Sequence, residues 1–338
     1  MSALTGVRVV EFAALGPVEY GAMLLGDLGA EVTIVLRPGQ ALRPNVMLRG
    51  RTPIELDLKS ATGRAAALEL LRDADVLLEG LRPGVMERLG LGPADVAAVN
   101  PRIVYGRMTG WGQDGPLAAK AGHDIDYIAE TGALWTNRRP GEPPTVPANM
   151  IGDNGGGAAF LVMGVLAALL ERERTDRGQV VDAAIVDGAA SLLQTILGFR
   201  SERAATPDLE MLRGELPWYG TYECADGGWM AVGAVEPQFY AQLLTGLGID
   251  DAPDRADARN WPELRQRFAE RFRTRTRDEW AAAFEPFDAC VTPVRTLGEA
   301  FASPHLAARG TYRLDAEGWS AAPAPRFHPL PVPGEDPA

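Results

Sequence analysis

Cysteine and histidine are scarce in this sequence. Its 338 residues include two cysteines, Cys224 and Cys290, which supply neither a disulfide framework nor the paired spacing of a zinc site. Two of the three histidines, His305 and His328, lie in proline-rich sequence near the C-terminal end, which leaves His123 as the histidine in a catalytic setting. No cluster of His, Cys, Asp and Glu has the spacing of metal ligands, so we expect no metal site.

Positive charge and long apolar runs are also scarce. The 33 lysines and arginines are outnumbered by 45 acidic residues, and the net charge of -12 disfavours nucleic acid and anionic membranes as general partners. The apolar run at residues 158–170 is too short to span a bilayer and predicts a buried helix. The N-terminal residues have neither the basic start nor the apolar stretch of a signal peptide. We therefore expect a soluble, cytoplasmic protein with no membrane partner.

The first part of the chain alternates strand-like and helix-like segments. This alternation predicts an α/β fold, with a large Rossmann-like domain in which helices cover both faces of an open parallel sheet. The predicted elements are strands at residues 7–12, 31–36, 76–79 and 103–107 and helices at 18–28 and 61–72.

The connections of this predicted sheet do not have the features of a nicotinamide site. The first turn, AALGP at residues 13–17, lacks the GxGxxG motif. After the second strand a dinucleotide fold would offer an acid to the ribose, but the chain has Arg37, which suits a phosphate. Basic residues at further loop positions indicate either a polyanionic small ligand or ordinary solvated charges. These residues are Arg49, Arg51, Lys59, Arg82 and Arg88.

A smaller α+β domain is predicted after the regular alternation ends. Two strand-like segments flank the turn at residues 225–228, and helices follow them. The predicted divisions are a large α/β domain at 1–188, a linker at 189–217, the small domain at 218–297, and a return linker with a C-terminal segment packing on the large domain at 298–338.

Two proton-transfer groups lie in glycine-rich surroundings. His123 is part of AGHDIDY, and Asp153 is part of IGDNGGG directly before the predicted helix at 158–170. Taken singly, Asp153 has an ordinary interpretation as a helix N-cap and His123 as a solvated loop residue. Two such groups facing one carbon could invert it. The backbone N–H of Asp153 at the helix start is then a candidate donor to an enolate oxygen.

Motifs along nearly the whole chain resemble the class III CoA-transferase family, also called the CaiB/BaiF family. Besides the His123 and Asp153 segments, the motifs are LLGDLGAEV at 24–32, LDLKS at 56–60, EGLRPGV at 79–85, TGWGQ at 109–113, GQVVDAA at 178–184 and YECADG at 222–227. The resemblance is closest to the α-methylacyl-CoA racemase branch, because that branch pairs the histidine with a glutamate, which corresponds to Glu236.

The resemblance implies an interlaced homodimer in which the large domain of one subunit meets the small domain of the next. It also implies an acyl-CoA thioester substrate and no separate cofactor, because CoA is part of the substrate. The CoA 3′-phosphate-ADP is expected in the large domain. By position, the implied CoA contacts are Arg37, Leu56, Arg82, Arg88 and Tyr127.

The implied reaction is inversion at the α-carbon of a 2-methylacyl-CoA in lipid metabolism, through an enolate. Neutral His123 removes the proton from one face and protonated Asp153 returns one to the other, while Glu236 fixes the tautomer of the histidine. Glu236 acts either within its own subunit or across the subunit boundary.

Two other functions remain open at the level of sequence. In the family's CoA-transferases the aspartate that corresponds to Asp153 is a nucleophile, and a CoA-binding protein without turnover is a third possibility. Departures from the racemase pattern near the expected acyl site leave the acyl group open, and with it a transfer or elimination at the same carbon. They are at Glu19, Tyr20, Asn154 and residues 213–220.

Overall fold

The computed structural model describes residues 2–14, 16–41, 45–139, 141–202, 212–316 and 318–330. Contacts divide the chain into two units. The first unit comprises Met1–Trp135, Val146–Leu193 and Gly310–Ala338, and the second comprises Thr136–Thr145 and Gln194–Arg309. Part of the predicted linker, residues 203–211, and the end of the predicted C-terminal segment, 331–338, lie outside the described residues. The predicted domain limits stay predictions.

The first unit is built on a parallel sheet of six strands in the order β3-β2-β1-β4-β5-β6. The predicted α/β class with an open parallel sheet is therefore confirmed. The strands are β1 (Arg8–Phe12), β2 (Glu31–Leu36), β3 (Arg51–Glu55), β4 (Val76–Glu79), β5 (Val104–Thr109) and β6 (Val180–Ala184).

Helices cover both faces of this sheet because successive strand residues point to opposite sides. Val9 of β1 joins one apolar cluster and Val10 joins the other. The helices of residues 17–192 are α1 (Pro17–Asp27), α2 (Ala61–Arg72), α3 (Val85–Arg88), α4 (Pro93–Val99), α5 (Asp124–Glu130), α6 (Ala133–Thr136), α7 (Phe160–Thr175) and α8 (Ile185–Leu192). Helices α1 and α7 supply Leu25 and Leu161 to the first cluster, and α2 supplies Leu71 to the second.

A π-helical segment, Met150–Ala159, leads directly into α7. The helix at 158–170 is therefore longer than predicted, and Met150–Thr175 forms one helix of 26 residues. By length and composition alone this helix is long and apolar enough to cross a membrane, a property that core helices of soluble proteins share. Leu161, Val165 and Leu169 are part of the core of the first unit. The absence of a membrane partner stays a prediction.

The second unit combines an antiparallel three-stranded sheet with helices, as the predicted α+β character requires. An aromatic core joins them through Phe268, Phe272, Trp280 and Phe284. The strands are β7 (Tyr219–Glu223), β8 (Trp229–Gly233) and β9 (Val291–Pro293), and the helices are α9 (Gln194–Glu202), α10 (Pro237–Leu247), α11 (Trp261–Phe272), α12 (Arg277–Phe284), α13 (Leu297–Phe301) and α14 (Pro304–Ala308). A hairpin of β10 (Tyr312–Asp315) and β11 (Gly318–Ala321) belongs to the first unit.

Candidate active site

The strand order creates a crevice at the carboxyl edge of the parallel sheet. Chain connections run in opposite directions from β1 and from β4, and ligands of open α/β sheets bind outside the strand ends at such a point. The loops that follow the two strands lie close together at Gly80, where a Cβ atom would stand 2.7 Å from Cγ2 of Val18 and 3.0 Å from Cβ of Ala14. Glycine at this position therefore permits the two loops to border one crevice.

Buried charges hold the loop after β4. The Glu79 carboxylate, fully buried, accepts a hydrogen bond from the Leu81 backbone N–H at 2.7 Å and pairs with Nε of Arg107 at 2.9 Å. Burial raises the pKa of Glu79, while the bonds from Leu81 and Arg107 act against this rise. Arg107 also contacts Glu87 at 2.8 Å. The network fixes the backbone that carries Arg82.

A pocket of about 310 Å³ opens beside this loop. Three of the predicted site residues, Arg82, His123 and Tyr127, line it together with Lys120. Two basic side chains and an imidazole therefore face one cavity, whose size lies at the lower end of small-molecule sites. The structure thus brings the predicted histidine together with one predicted phosphate contact and one predicted aromatic contact.

His123 is the residue immediately before α5, and its backbone is extended with φ -130° and ψ 173°. Its N–H donates to Oδ2 of Asp126 at 2.8 Å, which fixes the helix start by a side-chain cap. The imidazole itself is exposed. His123 therefore has a fixed backbone and an accessible side chain, which is the arrangement that a proton-transfer group requires.

Tyr127 forms a wall of the pocket. It is buried, its ring meets Trp111 edge to face at 4.8 Å, and its hydroxyl donates to the carbonyl oxygen of Gly122 at 2.5 Å. A Cβ atom at Gly110 would lie 2.0 Å from Cζ of Tyr127, so a glycine there leaves room for the ring. The hydroxyl is engaged within the protein, so the ring is the part of Tyr127 that is offered to a ligand.

Asp153 is the fourth residue of the π-helical segment, which begins at Met150. Its backbone N–H donates to Oδ1 of Asp124 at 2.7 Å. Asp153 therefore lies in the first turn of a helix, at its N-terminus as expected, but this helix begins earlier than predicted because the glycine-rich stretch is itself helical. The predicted use of this N–H for an enolate oxygen is wrong, since the Asp124 carboxylate already accepts it.

The surroundings of the Asp153 carboxyl favour its protonated form. Burial raises the pKa of Asp153, and the neighbouring Asp124 carboxylate raises it further. A hydrogen bond with Asn149 and the positive charge that His123 carries when protonated act in the opposite direction. The net effect is a pKa above the ordinary value of 3.8. The electrostatic contact with His123 also places the two candidate bases near each other.

Close backbone packing positions the π-helical segment. A Cβ atom at Gly156 would lie 2.6 Å from the backbone N of Ala189, and one at Gly188 would lie 1.8 Å from the Gly156 carbonyl oxygen. Glycines therefore let this segment rest directly on α8. On its other side, a Cβ atom at Gly16 would stand 3.6 Å from Oδ2 of Asp153, so the carboxyl faces the loop after β1.

The remaining predicted CoA contacts lie along the same sheet edge. Arg37 follows β2 and is exposed, Leu56 follows β3 and packs against the core, and Arg88 ends α3 and is exposed. Together with Arg82 after β4, they occupy the carboxyl ends of neighbouring strands or the helix that follows.

Two of the other predicted cations pair inside the protein. Arg49 bonds the carboxylate of Asp27, with Nε at 2.8 Å, and Arg51 is buried with its Nε 2.8 Å from Oε2 of Glu11. Arg51 is therefore not available as a solvent-facing phosphate ligand, and the suggestion that it belongs to a ligand cluster is wrong because its side chain is buried. Arg49 is only partly buried, with 24% of its side chain exposed, and its place in such a cluster stays a prediction.

Glu236 belongs to the second unit and immediately precedes α10. Its side chain is exposed, and its charge is one of the influences that raise the pKa of Cys290, after burial and Asp288. The predicted pairing of Glu236 with His123 stays a prediction.

The sequence patterns pass over two residues of this site. Lys120 stands in the pocket wall three positions before His123, where a lone lysine in a loop gives no signal of its own. Asp124 follows His123 directly and contacts the Asp153 backbone across 29 positions of the sequence. An acid in the first turn of a helix is so common that only its partner reveals its role.

Within the described ranges, no group of three or more His, Cys, Asp or Glu side chains is arranged to hold a metal ion. The candidate chemistry of the site uses proton transfer between His123 and Asp153. The expectation that the protein needs no metal stays a prediction.

Comparison with known proteins identifies the family to which the chain belongs. The family described as CoA-transferase family III matches residues 4–330. The chain is 42% identical over 334 residues to the alpha-methylacyl-CoA racemase of Mus musculus, covering 97% of this chain and 86% of that protein. It is 41% identical over 329 residues to the Homo sapiens protein of the same name, covering 96% and 85% respectively.

A solved structure supports the same assignment at the level of fold. The CaiB/BaiF family protein from Brucella suis matches with a TM-score of 0.83 at 24% identity, covering 96% of this chain and 92% of that chain. The resemblance carried by the sequence motifs is confirmed. The chain belongs to CoA-transferase family III.

Proposed function

We propose that the protein is an α-methylacyl-CoA racemase, an isomerase that inverts the 2-methyl centre of an acyl-CoA thioester. The observation that carries this proposal is the electrostatic influence of His123, which lines the pocket, on the Asp153 carboxyl, whose pKa is raised by burial and by Asp124. Sequence identities of 42% and 41% to two racemases over nearly the whole chain support the proposal.

The proposed reaction is a 1,1-proton transfer between two bases. Neutral His123 removes the α-proton from one face, the electron pair passes into the thioester carbonyl to form an enolate, and protonated Asp153 delivers a proton to the other face. Burial and the Asp124 carboxylate favour the protonated starting state of Asp153. In the reverse direction the two residues exchange roles.

The enolate oxygen needs a donor other than the Asp153 N–H. The first turn of α5, directly after His123, has backbone N–H groups that the helix itself cannot pair. We propose that this turn takes the role expected of the Asp153 N–H, because it lies beside the proton-transfer histidine and presents the positive end of the helix dipole.

The CoA portion is proposed to run along the carboxyl edge of the sheet. Arg37, Leu56, Arg82, Arg88 and Tyr127 remain the proposed contacts, and Lys120 joins them. Strands β3 and β4 are separated by three inter-strand spacings, so the proposed contacts extend over about 14 Å along the sheet edge. Such a row suits an elongated polyphosphate ligand, with arginines for the phosphates and apolar side chains for the adenine.

Several further properties belong to this proposal. We propose a homodimer in which Glu236 orients the histidine, a cytoplasmic location, a role in lipid metabolism, and no cofactor apart from the CoA carried by the substrate. Proton transfer requires no redox group, and an acidic chain has no general attraction for nucleic acid.

The alternative function is a CoA-transferase with Asp153 as nucleophile. Some family relatives have such an activity in their names, for example the succinyl-CoA–D-citramalate CoA-transferase of Chloroflexus aurantiacus, to which the chain is 30% identical. A raised pKa lowers the population of the carboxylate that a nucleophile requires. The identity to racemases over nearly the whole chain also favours racemisation over transfer.

Incubation of one epimer of a 2-methylacyl-CoA in D2O separates these functions. Racemisation predicts that deuterium replaces the α-hydrogen of the thioester at the same rate as stereochemical purity is lost. Mass spectrometry measures the incorporated deuterium. Absence of wash-in across several acyl chains, with CoA transfer to an added carboxylic acid, would instead establish the transferase. Absence of both, with retained binding of the ester, would indicate a CoA-binding protein without turnover.

A further inference from the structure

Asp124 occupies an unusual position between the two candidate bases. It is the first residue of α5, directly after His123, and its Oδ1 accepts the backbone N–H of Asp153 at 2.7 Å. Its other oxygen, Oδ2, is buried and has no hydrogen-bond partner among the residues that the structure describes. One carboxylate therefore adjoins both halves of the proton-transfer pair, with unsatisfied negative charge.

The contact depends on a glycine. A Cβ atom at Gly152 would lie 2.3 Å from Oδ1 and 2.8 Å from Cγ of Asp124. Any larger residue at position 152 would displace the carboxylate from the Asp153 N–H. The glycine before Asp153 thus has a specific steric role, and the approach of the Asp124 carboxylate to the π-helical segment is part of the packing of this site.

The charged and polar groups that act on the Asp153 carboxyl come from several elements. Helix α5 contributes Asp124, and His123 stands at its start; Asn149, which precedes the π-helical segment, contributes a hydrogen bond. Tyr127 lies within electrostatic reach, since the charge of Asp153 helps to raise the pKa of its phenol, after burial. Asp124 is the group in this set whose negative charge opposes ionisation of Asp153.

We propose that Asp124 is a positioning residue for proton transfer, which anchors the backbone of Asp153 and by its negative charge keeps the Asp153 carboxyl in the proton-donating form. This inference rests on the proposed racemase function. Asp124 does not touch the reacting carbon. It acts through Asp153, by fixing where that carboxyl stands and which protonation state it holds.

The singly protonated pair is the active form of such a two-base enzyme, with one proton shared between His123 and Asp153. Activity therefore falls on both sides of a bell-shaped pH profile, and the two apparent pKa values belong to the pair. Removal of the Asp124 charge lowers the affinity of Asp153 for its proton. The limb that reports Asp153 must then move to lower pH.

The test is the Asp124→Asn variant, whose amide oxygen can still accept the Asp153 N–H. The proposal predicts that one limb of its kcat/KM profile for racemisation shifts to lower pH. The matched control is Glu130→Gln, which removes the same charge from the far end of α5, about 9 Å along the helix axis, and leaves both limbs unchanged. A purely structural role would lower activity at every pH without moving a limb.

A second variant tests the anchor. Asp124→Ala removes both the charge and the acceptor, so kcat falls further than in Asp124→Asn, by about a hundredfold if Asp153 moves by about 1 Å. Retained binding of the acyl-CoA shows that this variant is folded. Unmoved limbs in Asp124→Asn, with a racemising wild type, would overturn the inference alone. A wild type that neither exchanges nor racemises would overturn the proposed function.

Discussion

The buried pair of Glu11 and Arg51 links stability to pH at the scale of single residues. Both side chains are almost completely inaccessible, and Nε of Arg51 stands 2.8 Å from Oε2 of Glu11. Burial raises the pKa of Glu11 to about 7 although the arginine lowers it. The cost of removing the charge from water thus exceeds what the pair recovers, as is common for buried ion pairs.

Protonation of Glu11 makes the stability of the fold depend on pH. The unfolded carboxyl titrates near 4.5 and the folded one near 7, so between these values the unfolded state has already released the proton that the folded state retains. Glu11 therefore contributes fully to the free energy of unfolding below about pH 4.5, and this contribution is lost as the pH rises through about 7. We predict that Arg51→Met alone lowers the free energy of unfolding by about 3 kcal/mol at a pH where Glu11 is ionised. The double variant Glu11→Met with Arg51→Met should recover most of this loss.

Urea unfolding measures these effects. The advantage of the wild type over the double variant should be greater well below pH 7 than well above it. An advantage that is equal on both sides, or one that grows with pH, would contradict the raised pKa of Glu11.

The sequence could not predict the role of Arg51. Its position among neighbouring basic residues leaves open a ligand cation or a solvated charge, and its burial follows only from the pairing of β3 with β2 and of β2 with β1. A side chain's direction depends on strand register, which is a property of the assembled sheet.

At the scale of elements, the contact between the π-helical segment and α8 positions Asp153. We predict that Gly188→Ala, whose Cβ atom would lie 1.8 Å from the Gly156 carbonyl oxygen, separates the two elements. The expected cost is about 1–3 kcal/mol of stability. A loss of kcat of at least about tenfold should accompany it, because Asp153 moves with its segment.

Gly26→Ala is the matched control. It also adds one methyl group to a helical glycine of the first unit, but its Cβ atom would meet only Cγ2 of Val32 at 3.6 Å, an ordinary contact. Steady-state kinetics and thermal unfolding should leave this variant close to wild type. Equal kcat values for Gly188→Ala and wild type would show that the contact does not position Asp153.

Local patterns account well for some elements and not for others. The helix Ala61–Arg72 and the strands Glu31–Leu36 and Val76–Glu79 have the predicted bounds, because periodicity and caps define them. The strand β3 is not predicted because it contains Pro53, which is tolerated there since β3 is an edge strand. The four glycines among residues 150–159 indicate a loop, and packing on α8 rather than local propensity makes this stretch helical.

At the scale of the whole molecule, the proposed homodimer makes a prediction about Glu236. If the small domain of one subunit serves the large domain of the other, His123→Ala and Glu236→Ala chains are each impaired alone but form one intact site when co-expressed as a mixed dimer. A Glu236 that acts across the subunit boundary predicts this recovery of racemase activity, measured on mixed dimers purified with two different tags. Mixed dimers that are no more active than the two variant homodimers would show that Glu236 does not act across the subunit boundary.

The central claim is that His123 and Asp153 serve opposite faces of one α-carbon. Its most direct test is α-hydrogen exchange in D2O for each epimer of a 2-methylacyl-CoA, followed with His123→Ala and Asp153→Ala. The account predicts that neither variant racemises, that His123→Ala exchanges the α-hydrogen of one epimer through Asp153, and that Asp153→Ala exchanges that of the other through His123. Exchange of the same epimer by both variants, or racemisation by either, would contradict it.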